Sequence, residues 1–166
     1  NELANTIIGT DRANVLDGGG GNDDLRGGLG NDTYLIDSAL DTVVEAAGGG
    51  RDTVRAFADY VLPGEVENLT LLGAGNIDAT GNALRNTLIG NAGANHLFGG
   101  DGADRLSGGA GADIMLGGNG NDIYYVDTSA DVVDETGTDG NDLVMSSASF
   151  VLGANVERLT LRGAGN

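Results

Sequence analysis

The sequence predicts an all-β protein wound as a parallel solenoid. Three observations predict it. A nine-residue period runs without a gap from Gly81 to Tyr125, as GNALRNTLI, GNAGANHLF, GGDGADRLS, GGAGADIML and GGNGNDIYY. Asn86, Asn95, Asp104, Asp113 and Asp122 recur at its sixth position. Leu88, Leu97, Leu106, Met115 and Tyr124 recur at its eighth, so each unit offers one sizeable apolar side chain.

The unit itself follows from backbone physics. Glycine at positions one, two and four permits a tight turn with positive φ. The three residues after the Asp suit a very short strand whose middle side chain points inward. One unit is then a turn and a strand, and two units make a full coil of a flattened spiral.

Residues 1–35 carry a shorter array in the same frame. Asn5-Thr6-Ile7-Ile8 is the tail of a unit, and GTDRANVLD from Gly9 is degenerate, with Asn14 at position six. GGGGNDDLR from Gly18 and GGLGNDTYL from Gly27 fit fully, with Asp23 and Asp32 at position six. Leu16, Leu25 and Tyr34 are the expected interior residues. Residues 36–80 depart from the pattern. Asp41-Thr42-Val43-Val44 holds the frame, and GGGRDTVR from Gly48 repeats the motif two residues out of phase. Tyr60-Val61-Leu62 and Glu67–Leu72 read as strands, separated by a Pro63-Gly64 turn. Ile77–Thr80 leads back into the frame at Gly81.

A longer repeat overlies the short one. Residues 1–76 align without a gap to residues 91–166, with nearly half of the pairs identical. LIDSALDTVVE from Leu35 becomes YVDTSADVVDE from Tyr125, and VENLTLLGAGN from Val66 becomes VERLTLRGAGN from Val156. Ninety residues are ten units, so the spacer can preserve the phase of the coil, or the repeat can be a duplication whose length has no energetic meaning. The expected organisation is a first array over 1–45, a β-rich spacer continuing or capping it over 46–80, a second array over 81–135 and a second spacer over 136–166. The chain begins and ends in mid-pattern and reads as a piece of a longer protein.

Composition narrows the function. The 166 residues carry a net charge of −17, with eight basic residues, all Arg. Nucleic acid and anionic membrane surfaces are therefore poor partners, and cations are the natural ones. No cysteine is present, so no disulfide framework exists. No apolar run reaches transmembrane length. His96 is the lone histidine, at an outward-facing seventh position, and a surface role suits it better than that of a base or ligand. Ser107 lacks the flanks of a nucleophile elbow. No phosphate-binding loop or zinc-protease helix motif occurs. No active site is expected within the chain.

Stacked coils place like carboxylates about 4.8 Å apart along each edge. Two such charges repel by about 1 kcal/mol at the dielectric of water and several times more near a protein surface. A cation between the turns answers this repulsion. Carboxylate and carbonyl ligands without sulfur select Ca²⁺.

At its glycine–aspartate nonads, G-G-x-G-x-D-x-U-x with U apolar, the chain resembles the RTX, or haemolysin-type, calcium-binding repeat family. The resemblance is strong over 9–35 and 81–125 and weaker over the spacers. It implies a right-handed parallel β-roll with several Ca²⁺ ions between loops two nonads apart on the same edge. One loop would give the carbonyls of positions two and four and its position-six side chain. The other would give the carbonyls of positions one and three and its own position-six carboxylate. Carried over, Gly100, Gly102 and Asp104 would face Gly117, Asn119 and Asp122. Gly109, Gly111 and Asp113 would face Val126, Thr128 and Asp131. Asn91, Gly93 and Asn95 would face Gly108, Ala110 and Asp113, and Asn82, Leu84 and Asn86 would face Gly99, Asp101 and Asp104. In the first array Gly19, Gly21 and Asp23 would face Ile36, Ser38 and Asp41, while Thr10, Arg12 and Asn14 would face Gly27, Leu29 and Asp32. Sites that use Asn86, Asn95 or Asn14 lose a formal charge and should bind more weakly. Leu84 and Arg12 stand where a turn glycine is usual, and Ile36 also breaks the glycine pattern.

The resemblance further implies a non-catalytic, monomeric module of a secreted bacterial protein. Such a protein leaves through a type I system, unfolded in the calcium-poor cytosol, and folds outside. A second expectation is a polysaccharide-binding module beside an extracellular enzyme, with Arg51, Arg55, Arg158 and Arg162 meeting an acidic polysaccharide. A third places a polymer-modifying or proteolytic domain outside this chain.

Overall fold

A computed structural model describes residues 1–135 and 140–163. The end of the second VERLTLRGAGN segment and residues 136–139 of the second spacer lie outside the described residues. The described residues form seventeen short strands and no helix: β1 Thr6–Ile8, β2 Val15–Asp17, β3 Asp24–Arg26, β4 Thr33–Ile36, β5 Thr42–Val44, β6 Thr53–Ala56, β7 Tyr60–Val61, β8 Asn68–Leu71, β9 Ala79–Thr80, β10 Thr87–Ile89, β11 His96–Asp101, β12 Arg105–Ser107, β13 Ile114–Asn119, β14 Ile123–Val126, β15 Val132–Val133, β16 Leu143–Ser146 and β17 Arg158–Leu161. Every strand pairing among them is parallel, and the chain alternates between two walls. One wall is a nine-stranded sheet in the order β17-β16-β14-β12-β10-β8-β6-β4-β2. The other is in two pieces, β1-β3-β5 and β15-β13-β11-β9-β7. This is the expected all-β parallel solenoid.

The interior is a set of straight side-chain columns. Leu16, Tyr34, Val54, Leu69, Leu88, Leu106, Tyr124 and Val144 occupy equivalent places on successive strands of the long wall, and all are buried. Opposite them stand Leu25 and Val43 in one piece, and Tyr60, Ala79, Leu97, Met115 and Val133 in the other. All eight residues expected inside from the period are buried. A fully buried Leu contributes about 2–3 kcal/mol by removal from water, and here each stands in register with an apolar residue of a neighbouring coil.

Strands β6 and β8, from the spacer, lie in the same sheet as the array strands. The pairing steps from Thr33 to Thr53, then to Asn68, then to Thr87. These coils are longer, shorter and slightly longer than the regular step, in which Val15 pairs with Thr33 and Thr87 with Arg105. From Thr33 to Thr87 the three add up to three regular coils, so the second array resumes in phase with the first. The same long and short steps recur from Ile123 to Leu143 to Arg158.

Candidate metal centre

Loops between the walls stack along two edges. One edge carries loops 9–14 and 27–32, and further along 81–86, 99–104 and 117–122. The other carries 18–23 and 36–41, then 90–95, 108–113 and 126–131. Each of the six loop pairs expected from the sequence is a pair of neighbours on the same edge, three pairs on each edge.

Two features make the loops pack backbone to backbone. In the loops with glycine at both positions two and four, both take positive φ, as at Gly100 (φ 107°) and Gly102 (φ 123°). A Cβ at Gly102 would stand 2.5 Å from Leu84 O, and one at Gly100 would stand 2.7 Å from Asn82 O. The carbonyls of positions two and four of each loop therefore lie directly against the next loop. Second, the position-one glycine makes room for the position-six carboxylate of its own loop: Cβ atoms at Gly99 and Gly108 would overlap Oδ2 of Asp104 and Asp113.

The position-six side chains form a ladder along each edge. Asp104 Oδ1 accepts the Asn86 N–H at 2.7 Å, one coil earlier, and Asp122 Oδ1 accepts the Asp104 N–H at 2.7 Å. On the other edge Asp113 Oδ1 accepts from Asn95 at 2.8 Å and Asp131 Oδ1 from Asp113 at 3.2 Å. In the first array Asp32 accepts from Asn14 at 2.6 Å and Asp41 from Asp23 at 2.9 Å. One oxygen of each carboxylate is thus engaged. The other is buried with no hydrogen-bond partner in Asp23, Asp32, Asp104 and Asp113, and none of the four forms an ion pair among the described residues. An orphaned buried carboxylate oxygen is costly. Burial pushes the Asp104 carboxyl up to about 7, with the nearby Asp122 charge adding to the rise and the Asn86 N–H opposing it. Burial raises Asp113 as well, helped by the Asp131 charge.

This donor set fits a hard cation. Anionic oxygens lacking a partner stand beside backbone carbonyls of positions one, two and four, with no sulfur or imidazole. Gly99, Gly108 and Gly27 O lie against the position-one glycines of the preceding loops. Asn119 O accepts the Gly102 N–H at 2.9 Å, so that carbonyl keeps one lone pair for another partner.

The remaining predicted residues differ among themselves. Asp131 and Asp41 use both oxygens: Oδ2 of Asp131 accepts from Asp127 and Thr128, and Oδ2 of Asp41 from Asp37 and Ser38. These end loops have lost their glycines, and the carboxylate closes the turn in their place. Asn82, Asn86, Asn91 and Asn95 reach back toward the spacer. Asn82 Nδ2 donates to Pro63 O at 2.6 Å and Val66 O at 2.7 Å, and Asn86 Nδ2 to Val66 O and Glu67 O at 3.3 Å. Asn91 Nδ2 donates to Leu72 O and Gly75 O at 3.1 Å, and Asn95 Nδ2 to Ile77 O at 2.7 Å. An amide NH₂ bridging loop carbonyls can do what a cation would do between the regular loops. Asn14 Oδ1 accepts the Thr10 N–H at 2.7 Å, and Arg12 and Leu29 are exposed residues of the neighbouring loops.

Sequence reasoning missed four acidic residues. Glu45 and Asp52 gather with Asp32, and Glu135 and Asp142 with Asp122, each group with carboxylate oxygens within 4.8 Å of one another. The signal was present: GGGRDTVR places Asp52 at position six of a displaced unit, and Glu45 and Glu135 share position one of the frame ninety residues apart. The expected arginines do not form one patch. Arg55 on β6 and Arg158 on β17 are six strands apart, about 29 Å at the usual spacing.

Comparison with known proteins agrees with this geometry. A 64-residue stretch is 41% identical to the endo-1,3-1,4-beta-glycanase ExsH of Rhizobium meliloti (strain 1021), covering 39% of this chain and 14% of that protein. The chain thus spans a small part of the curated relative it matches. The model of the RTX calcium-binding nonapeptide repeat matches residues 1–34, 80–115 and 99–133, which together are more than half of the chain. The chain belongs to the RTX calcium-binding nonapeptide repeat family.

Proposed function

We propose that this chain is a non-catalytic calcium-binding module that winds into its solenoid as Ca²⁺ binds, within a larger bacterial protein exported by a type I system. The observation that carries the reading is the set of buried position-six carboxylates Asp23, Asp32, Asp104 and Asp113, each with one oxygen lacking a hydrogen-bond partner. Without a cation these charges oppose the stacking that the hydrophobic columns favour. Bound Ca²⁺ supplies the positive charge that this row lacks, and the unpartnered oxygens would coordinate it. Asp104 with Asp122, and Asp113 with Asp131, are the best-supplied pairs, with carbonyls of Gly100, Gly102, Gly109 and Gly111 beside them. The loops with Asn82, Asn86, Asn91 and Asn95 are weaker candidates, because their amides already bridge to the spacer. Extracellular modules commonly bind calcium at about 10⁻⁴–10⁻³ M, which suits folding after export. We take 1–45 and 81–135 as arrays and 46–80 and 136–166 as the spacers that carry the winding onward. Circular dichroism of the chain with calcium and with excess chelator tests the reading: equal β content in the two would overturn it.

A second reading is an accessory module that binds an acidic polysaccharide. The partial likeness to a β-glycanase favours it, as does the Arg162 guanidinium set 6.0 Å over the Tyr125 ring on the outer face of the long wall. Calorimetric titration with a uronic-acid polymer decides it, and no heat in the presence of calcium removes it.

A further inference from the structure

The loops that end each array on the first edge are built differently from those before them. Loop 45–52 follows β5 and is two residues longer than a regular loop, and the stretch from Glu135 to Asp142 has the same length in sequence. Each begins with glutamate, Glu45 or Glu135, where the preceding loops begin with Gly27 and Gly117. The glutamate turns toward the last regular aspartate, Asp32 or Asp122, and the displaced one, Asp52 or Asp142. Asp32 and Asp52 are 1% and 0% exposed, and Oδ2 of each has no partner. Glu135 is 5% exposed, and neither of its oxygens has a hydrogen-bond partner. The nearby Gly117 N–H donates to Tyr124 Oη at 2.7 Å. In the first cluster Tyr34 Oη donates to Glu45 Oε1. A Cβ at Gly27 would overlap Tyr34 Oη, Asp32 Oδ2 and Glu45 Oε1 together, so these groups converge on one small space.

We propose that each of these two triads, Asp32–Glu45–Asp52 and Asp122–Glu135–Asp142, is a binding site for one hard divalent cation, Ca²⁺ by its oxygen donors. The inference rests on reading the chain as a calcium binder, but the site is of another make. A regular inter-loop site draws on two position-six side chains and several backbone carbonyls. The triad offers three carboxylates, a formal −3, from two successive loops of one edge. Higher ligand charge gives tighter binding, so the triads fill before the regular sites. Their place gives them a task. Each spans the junction where the coil lengthens, and an ion there ties the last array coil to the first spacer coil. Both clusters reach beyond the matched repeats, since Glu45, Asp52, Glu135 and Asp142 follow residues 34 and 133.

The test counts ions on the whole 166-residue chain. Calcium titration by calorimetry and terbium luminescence excited through tyrosine are compared for wild type and the Glu45→Gln/Glu135→Gln double variant. The expected result is two fewer tight ions per chain and a several-fold loss of tyrosine-sensitised emission, with the same β content at saturating calcium. An unchanged count and unchanged emission overturn the proposal. If that variant does not fold in calcium, Tyr34→Phe/Tyr124→Phe decides. Emission lost with the calcium count intact supports the triads, and emission retained overturns them. Should the wild type bind no calcium at all, the broader reading fails. Should it bind with the count unmoved by the glutamates, this inference alone fails.

Discussion

Asp104 Oδ1 accepts the backbone N–H of Asn86 at 2.7 Å, eighteen residues earlier and one coil away, while its Oδ2 lies buried with no hydrogen-bond partner. The first bond sets the stacking register. The second oxygen creates the demand for a cation. The two roles separate in Asp104→Asn, which keeps a carbonyl oxygen for the Asn86 N–H and removes the charge. The calcium concentration at the folding midpoint should rise about tenfold, equivalent to about 1.4 kcal/mol, read by circular dichroism during calcium titration. An unchanged midpoint would mean that Asp104 does not face the ion.

Acidity should act on the metal-free chain in an unusual direction. Burial raises Asp52 to about 6, Asp104 to about 7 and Glu135 to about 8, with neighbouring carboxylates adding to each. Unfolded, these groups titrate near 4. A folded pKa above the unfolded one means that the fold binds more protons, so stability is full below about pH 4 and is lost as pH rises through 6 to 8. In chelator, β content should therefore increase on going from pH 8 to pH 5. In saturating calcium the same change should not stabilise, because protons then compete with the ion. Parallel dichroism series with and without chelator check both signs.

The loop backbone predicts a sharp contrast between two glycines. Gly102 has φ +123°, and a Cβ there would stand 2.5 Å from Leu84 O, whereas Gly64 has nothing within 4 Å. Gly102→Ala should destabilise the calcium-bound chain by about 1–3 kcal/mol through backbone strain, and the close approach adds to this. Gly64→Ala should stay within about 0.5 kcal/mol. Denaturant midpoints in excess calcium measure both.

The regular coil was legible because one local rule repeats. Leu106 and Met115 are buried, and Asp104 and Asp113 are laddered, for the reason that each sits at the same place in the frame as its neighbours. The spacer was less legible, since its unequal coils are specified by pairings such as Thr53 with Asn68 that obey no nine-residue count. Glu45 was hidden for a related reason. It occupies a glycine's place in the frame, and only the lengthened loop brings Asp52 to meet it. The asparagines were the subtlest case. The sequence shows a missing charge at Asn86 and Asn95, but only the fold shows that each amide donates to a carbonyl of the preceding coil.

By that last feature, the entry to the second array should depend less on metal than its middle. Asn95 Oδ1 accepts the Asn91 N–H at 2.8 Å, and Asn95 Nδ2 donates to Ile77 O at 2.7 Å. Asn95→Asp keeps the first bond and sets an anionic oxygen against the Ile77 carbonyl. The loss of a buried donor costs about 1–3 kcal/mol, and the new charge adds repulsion. The same carboxylate beside Asp113 completes a paired site on that edge, and a ligand that binds only the folded form stabilises it further as its concentration rises. The variant should thus be less stable than wild type at low calcium, with the gap closing as calcium increases. Denaturant midpoints across a calcium series measure this. A constant gap would show that Asn95 lies outside any ion site, and no gap at low calcium would show that its amide bridge does not hold the array to the spacer.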